Sequence, residues 1–285
     1  MSQSEKFLKH FIVIRFFPYK DDDFAQDIFD LDFLSRQVLL AKNNCIKSLE
    51  NQSNKNFEIV FLANEKYFTD KKFDFIFTEL KNSTELPISF IKTTDKNFAK
   101  KELKAFIKAA CNEYDYVIHS RTDLDDFIYK DAVADTQNKV KECDIVLSYG
   151  YCKGYVYFNG VMYPYFPPYN GGYKAVLQSM ILKSSLANEI SFIGPYSFDH
   201  TKIKAKMENF LAAKGITFSE NMFQRNTSTS AYIWFRHDDT YSNNGNPLVE
   251  IPRYIKRVKR LTGKDITKKY LEEEFAFQYD AKSIK

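Results

Sequence analysis

YDYVIHSRTDLDD, residues 114–126, is the stretch from which the fold of the chain can be inferred. It begins with a short apolar run, 116–118, which predicts a strand, and it ends in three carboxylates, Asp123, Asp125 and Asp126. Sheets of α/β proteins bind ligands in the crevice beyond the carboxyl ends of their strands. Clustered carboxylates repel one another unless a cation neutralises them, and the hard cations Mg²⁺ and Mn²⁺ prefer oxygen ligands. The stretch therefore predicts a metal that joins the protein to a nucleotide diphosphate.

A second interpretation of the same acidic run is structural. Asp residues are frequent in surface turns and at helix N-termini, where the carboxylate accepts backbone N–H groups. Asp125 or Asp126 could thus cap a helix that starts near Phe127. The motif alone does not decide between the two interpretations.

Apolar runs and helical patterns alternate on both sides of the acidic run. Predicted strands lie at 10–17, 57–63, 87–92, 116–119, 144–148 and 230–235, and predicted helices at 33–49, 97–111, 130–142, 201–213 and 251–277. Strands that alternate with amphipathic helices are typical of βαβ crossovers, and predict an α/β fold with a mostly parallel sheet. The chain has neither a Gly-x-Gly-x-x-Gly motif nor a Walker lysine loop, which argues against ordinary Rossmann and P-loop phosphate sites.

Two segments of the second half have unusual composition. Residues 149–173 are rich in Tyr, Pro and Gly, which predicts an aromatic loop that could stack on sugar rings or bases; an aromatic hairpin packed on the core is the alternative. The predicted helix at 201–213 is closed by Gly215. The tail helix at 251–277 is basic at first, and either binds an anionic membrane surface or exposes a solvated face.

Size, charge and cysteine content exclude several classes of protein. The chain has 285 residues and a net charge of +4, which is too balanced for a nucleic-acid binder. Its four cysteines lack the spacing of metal ligands, which indicates reduced thiols. The chain lacks a signal peptide and any run of roughly 18 apolar residues, so we expect a cytoplasmic protein or one on the inner face of the plasma membrane.

Three motifs resemble the rhamnosyltransferase family of bacterial glycosyltransferases, whose fold is GT-A. They are the opening strand and helix (11–16, 33–36 and 45–52), the Arg-x-Asp-x-Asp-Asp motif at 121–126, and a Trp-and-His element at 232–237. The resemblance implies a GT-A-like, Rossmann-like domain over residues 1–245, with a nucleotide-sugar half at about 8–148 and an acceptor half at about 149–245. Residues 246–285 would then form a C-terminal basic helical extension.

The resemblance also implies roles for individual residues. It assigns the nucleotide-sugar donor (a UDP-, dTDP- or GDP-sugar) to Arg15, Arg121, Asp123 and Asp125, with Asp123 toward the ribose or base. It assigns the Mn²⁺ or Mg²⁺ ion to Asp125, supported or replaced by Asp126, and to a late histidine, His237, with His200 as a competitor.

The implied function is metal-dependent transfer of a sugar to a glycan or lipid-linked glycan acceptor, in the synthesis of a bacterial surface polysaccharide. If the reaction inverts the anomeric centre, a carboxylate must deprotonate the acceptor hydroxyl. Asp238 and Asp199 are the main candidates, with Asp239 beside them. Two alternatives remain open: a non-catalytic carbohydrate-binding protein, and a metal-dependent nucleotidyltransferase or phosphotransferase.

Overall fold

A computed structural model of the chain describes residues 6–16, 29–93, 96–158, 161–165, 177–186, 203–235 and 268–277. The strands of this part are β1 (Lys6–Phe16), β2 (Glu58–Asn64), β3 (Ile88–Thr93), β4 (Tyr114–Thr122), β5 (Phe127–Ile128), β6 (Val146–Phe158), β7 (Val161–Tyr165), β8 (Gln178–Lys183) and β9 (Phe223–Phe235). The α-helices are α1 (Leu31–Ala41), α2 (Lys47–Glu50), α3 (Lys66–Thr69), α4 (Asp74–Lys81), α5 (Lys96–Cys111), α6 (Ala132–Asn138), α7 (Ile203–Ala212) and α8 (Lys268–Phe275).

These strands form one sheet in the order β3-β2-β1-β4-β8-β6-β9-β5, with β7 paired to β6. The first four strands in this order are mutually parallel. Strand β8 runs antiparallel to both of its neighbours, and β6 is parallel to β9. The carboxyl ends of β1, β2, β3, β4, β6 and β9 therefore point the same way. The predicted α/β class, a mixed sheet flanked by helices, is confirmed.

Strand β1 is buried on both of its faces. Ile12 and Ile14 belong to the apolar cluster that includes residues of α1, whereas Phe11 and Val13 pack in a second cluster with α5. Each fully buried side chain of this size stabilises the fold by about 1.5–3 kcal/mol relative to an exposed one. The nearly continuous apolar sequence of β1 follows from this double burial.

The residues after the acidic run form a strand, so the prediction of a helix that starts near Phe127 is wrong. Phe127 and Ile128 pair antiparallel with Ile233 and Tyr232 of β9. Both side chains of β5 are buried in the core. Burial against β9 thus decides the conformation here, and the next helix, α6, begins at Ala132.

The described part of the aromatic run is also regular, and it corrects the prediction of a loop. Strand β6 continues from Val146 to Phe158 and forms an antiparallel hairpin with β7. Tyr149, Tyr151, Tyr155 and Tyr157 are all buried. The alternative of an aromatic hairpin packed on the core holds for these residues, while the rest of the run lies outside the described residues.

Gly154 lets β9 approach this hairpin closely. A Cβ atom at this position would lie 2.6 Å from the ring and from the carbonyl oxygen of Tyr232. The Tyr232 ring is itself fully buried. The glycine is therefore required by packing.

Helix α7 ends in a Schellman motif, which confirms the predicted role of Gly215. The N–H of Ile216 donates to the carbonyl of Leu211, and the N–H of Gly215 donates to that of Ala212. Gly215 adopts φ +70°, in the left-handed region that favours glycine. Ile216 also packs against the cluster that contains Leu211.

We expect Gly215→Ala to lower the free energy of unfolding by about 1 kcal/mol, because a side chain strains a left-handed residue. No heavy atom lies within 4 Å of the position of the new Cβ, so a clash would not add to this cost. Urea unfolding measures the difference. Gly215→Asn is the control, and should lose less because Asn tolerates the left-handed region; equal stability of all three proteins would contradict the prediction.

The tail is described only at 268–277, where α8 confirms a helix; the remainder of the predicted tail helix and the predicted domain boundary at 245 lie outside the described residues. Among the helices of the described part, none is both long and apolar enough to span a membrane.

Candidate active site

Strands β1 and β4 bring two arginines to one edge of the sheet. Ile14 of β1 is in register with Thr122 of β4, so Arg15 and Asp123 follow at the same level. The Nη2 atoms of Arg15 and Arg121 lie 4.0 and 3.8 Å from Oδ1 of Asp123. The side chains of Arg15 and Asp123 are 34% and 37% exposed, and that of Arg121 is 12% exposed. Two guanidinium groups share one carboxylate, so these three groups carry a net positive charge at a surface that solvent reaches.

The acidic loop, residues 123–126, alternates between accessible and buried side chains. Leu124 and Asp126 point into the protein and are buried, whereas Asp123 and Asp125 are partly exposed. The N–H of Asp126 approaches the carbonyl oxygen of Asp123 at 3.4 Å, which closes a turn. The loop therefore presents an Asp-x-Asp pair to solvent. Asp126 is only 1% exposed.

A π-helical turn holds the acidic loop from the side. The predicted helix at 33–49 runs as α1 and α2 with a π-helical turn, Lys42–Ile46, between them. Asn44 of this turn donates its Nδ2–H to the carbonyl oxygen of Asp125 at 3.1 Å. Single π-helical turns are frequent at functional sites.

The pKa of Cys45, the next residue of the π-helical turn, is affected by burial and by the negative charge of the loop. Burial raises the pKa of its thiol well above the usual value, and the neighbouring carboxylates of Asp126, Asp125 and Asp123 raise this pKa further. The thiol therefore stays protonated. It is a neutral packing group beside the acids.

A chain of buried hydrogen bonds crosses the sheet below the loop. Nε2 of His10 lies 2.7 Å from Oγ of Ser120, which lies 2.6 Å from Oγ of Ser179. Ser179 donates to the carbonyl oxygen of Leu177, and Nδ1 of His10 lies 3.3 Å from Nε2 of Gln137. Each hydroxyl has one proton, so Ser120 donates to Ser179 and accepts from His10. Burial lowers the pKa of His10 to about 3, which keeps the ring neutral. No sequence motif indicated this network.

The donor set of the loop fits a hard divalent cation. Mg²⁺ in nucleotide sites is usually held by one or two carboxylates together with substrate phosphates. Asp123 and Asp125 are the accessible carboxylates of the loop. Within the described ranges, no group of three or more His, Cys, Asp and Glu side chains could hold a metal ion, so the remaining ligands would come from the donor or from elsewhere in the chain.

The other predicted site residues lie outside the described residues. These are Asp199, His200, His237, Asp238 and Asp239. Their roles stay predictions.

A polar groove lies away from the acidic loop, between α6 and the first half of β9. Its volume is about 400 Å³, and its lining includes Lys139, Glu142, Tyr149, Gln224 and Asn226. Many of these groups already bond to one another: Glu142 accepts from Lys139 and Gln224, and Asn226 donates to the Tyr149 hydroxyl. The groove is a preformed polar surface.

Comparison with known proteins gives one sequence family and several weak structural likenesses. No curated protein matches the chain. S. aureus TarS resembles it with a TM-score of 0.42 at 14% identity over 93% of this chain and 43% of TarS, so the chain spans less than half of that protein. TarS 1-349 gives a TM-score of 0.42 at 16% identity, over 90% of this chain and 67% of the other. A protein of Desulfovibrio desulfuricans G20, named "putative nucleotide-diphospho-sugar transferase", gives a TM-score of 0.39 at 11% identity. The match covers 87% of this chain and 97% of that protein.

Structural similarity at these TM-scores does not assign the chain to a family, whereas the match to a sequence family does. The model of the family described as "Putative rhamnosyl transferase" matches residues 22–233, which include the acidic loop and most of the sheet. The chain therefore belongs to this family of glycosyltransferases.

Proposed function

We propose that the chain transfers a sugar from a nucleotide diphosphate to a glycan acceptor and that the reaction depends on a divalent metal. The observation that carries this proposal is the convergence of Arg15, Arg121, Asp123 and Asp125 at one edge of the sheet. Arginine binds phosphate through planar, charge-assisted hydrogen bonds. Carboxylates beside arginines suit a ligand that combines a diphosphate with ribose hydroxyls and a cation.

In this proposal the two arginines neutralise the diphosphate of the donor. Asp123 lies toward the ribose or base, and Asp125 binds the cation with Asp126 behind it. When bound, the cation would stabilise the departing diphosphate as a Lewis acid. The family match begins at residue 22, so the role of Arg15 rests on its distance to Asp123 and on the register of β1 with β4.

The catalytic base and the rest of the metal shell belong to the same proposal. Asp238 or Asp199 would take the proton of the acceptor hydroxyl if the reaction inverts the anomeric centre. His237 would complete the metal shell. The acceptor would be a glycan or lipid-linked glycan of a bacterial surface polysaccharide, met at the inner face of the plasma membrane.

A non-catalytic carbohydrate-binding protein is the second candidate. The polar groove favours it, because amides, carboxylates and a tyrosine hydroxyl are the groups that bind sugar hydroxyls. In that case sugars would bind at the groove and nucleotides would not bind at the acidic loop.

Thermal unfolding with UDP, GDP, dTDP or CMP, each with Mn²⁺, Mg²⁺ or EDTA, tests the proposal. We expect one nucleoside diphosphate to stabilise the protein by about 2.7 kcal/mol at 100 times its dissociation constant, and EDTA to remove the effect. Arg15→Ala should lose the stabilisation, while Arg225→Ala, which alters the polar groove, should keep it. If no nucleotide stabilises the folded protein, the glycosyltransferase proposal fails and sugar binding at the groove becomes the better explanation.

A further inference from the structure

The C-terminal segment Lys268–Phe277 packs against the strand that follows the acidic loop. Phe275 and Phe277 are both buried, in a cluster with Phe127 of β5, two tyrosines of β6 and Ile233 of β9. The ring of Phe277 lies 5.0 Å from that of Phe127 in an edge-to-face arrangement. The ring of Phe275 lies 5.9 Å from that of Tyr129. The segment thus covers β5 with two aromatic anchors.

Polar contacts fix the same segment to the chain around the loop. The N–H of Lys130 donates to the carbonyl oxygen of Glu274 at 2.9 Å. The Lys130 ammonium also pairs with the Glu274 carboxylate at 3.0 Å. Asn51, just beyond α2, donates to the carbonyl oxygen of Glu273 at 3.5 Å. The segment therefore has a defined register against β5 and α2.

Ala276 has the backbone conformation that turns the chain after α8 and directs Phe277 inward. Its φ is +55°, in the left-handed region that non-glycine residues seldom adopt, and its N–H donates to the carbonyl oxygen of Glu272. This residue ends α8 and returns the chain, so that Phe277 enters the same cluster as Phe275. The surrounding contacts hold an uncommon conformation in place.

The cluster adjoins the acidic loop directly along the chain. Phe127 is the residue after Asp126, the buried acid of the loop. Asn44 holds the other side of the loop through Asp125. The family match ends at residue 233, so the C-terminal segment lies outside the matched part of the chain.

We infer that Lys268–Phe277 is a strap that positions the acidic loop for donor binding, with Phe277 on Phe127 as the contact that transmits its effect. This inference rests on the proposed function of the loop. Without the Phe277 ring, Phe127 of β5 loses the aromatic ring that packs against it, and residues 123–126 sample more conformations. Donor affinity then falls in proportion to the population that keeps the binding geometry.

The test compares the full-length protein with Phe277→Ala and a control, Leu211→Ala. Leu211 is buried in the cluster under α7, which does not contain the strap, so its truncation also destabilises the core. Hydrogen–deuterium exchange of residues 123–130 is measured on the free proteins under conditions in which each is folded. The dissociation constants of UDP, GDP and dTDP with Mn²⁺ are measured by calorimetry.

We expect exchange at 123–130 to rise and the dissociation constant of the bound nucleotide to increase about tenfold in Phe277→Ala only. Phe277→Leu, which restores apolar cover, should recover most of the affinity. Unchanged nucleotide affinity in Phe277→Ala, or an equal loss in Leu211→Ala, would overturn the strap. If the unaltered protein binds no nucleotide, the proposed function fails, and hydrogen exchange then tests only whether the segment holds the loop in place. A rise confined to Phe277→Ala supports that role, and no rise, or an equal rise in Leu211→Ala, overturns it.

Discussion

Asp125→Ala is expected to lower the turnover of the nucleotide-sugar donor about 1000-fold, the size of effect seen when one preorganised charge-stabilising group is removed from an active site. Asp125 is one of two accessible carboxylates of the acidic loop, and it is the residue to which we assign the cation. The variant should still fold, because the hydrogen bond from Asn44 goes to the main-chain carbonyl of residue 125. Release of nucleoside diphosphate from the donor measures the effect.

Asp115→Ala is the matched control for this experiment. Asp115 is an exposed aspartate near the start of β4, the strand whose other end leads into the acidic loop. The control should keep full turnover and the same thermal stability. Turnover in Asp125→Ala within a few-fold of the unaltered protein would rule out the assigned metal role. A chain that binds glycans but releases no nucleotide, with or without Asp125, would be a binding protein.

The parallel half of the fold could be predicted because its strands are buried on both faces. β1 and β2 are near-continuous apolar runs and β4 contains a short one at 116–118, and each strand was predicted with boundaries within a few residues. Helices α3 and α4 between β2 and β3 were missed. They are short, and helices of this length depend on tertiary packing more than on their own pattern.

The aromatic hairpin was predicted only as the alternative to a loop, for a related reason. Tyr, Gly and Pro in sequence indicate turns, but β6 obtains its conformation from β8 and β9 on either side. Gly154 marks a close approach of Tyr232 and not a turn. Only the neighbouring strands reveal which meaning a glycine has.

The position of the three acids after β4 could be predicted, but not which of them are buried. The family resemblance assigned the cation to Asp125, supported or replaced by Asp126, and burial separates Asp126 from the more accessible Asp123 and Asp125. Asn44 touches the loop from 81 residues away. Contacts between residues so far apart in the chain produce no local sequence pattern from which they could be predicted. The hydrogen bonds that join His10, Ser120 and Ser179 are a second example.

Acid should destabilise the protein strongly, because two histidines are buried in their neutral form. Burial lowers the pKa of His10 from 6.5 to about 3. Burial, with help from His10 and Arg121, lowers the pKa of His119 to about 3 as well. Below pH 6.5 these histidines are protonated in the unfolded chain but stay neutral in the folded one. Their contribution to the free energy of unfolding is therefore fully present above pH 6.5 and is lost progressively as the pH falls toward 3. At pH 4.5 the loss for both residues is on the order of 5 kcal/mol.

Urea unfolding at pH 7 and pH 4.5 checks this expectation. Asp135 opposes the histidines, since burial raises the pKa of its carboxyl and protonation at low pH relieves that cost, so the measured loss should fall somewhat short of the sum. His10→Gln keeps a neutral polar group beside Ser120 and should remove about half of the pH dependence, and His10→Gln with His119→Gln should remove most of it. An unfolding midpoint that does not move between the two pH values would mean that the folded protein can accept protons on these rings. If the double variant loses as much stability at pH 4.5 as the unaltered chain, the histidines do not cause the acid sensitivity. Protonation of carboxylates that are paired in the native state would then explain it.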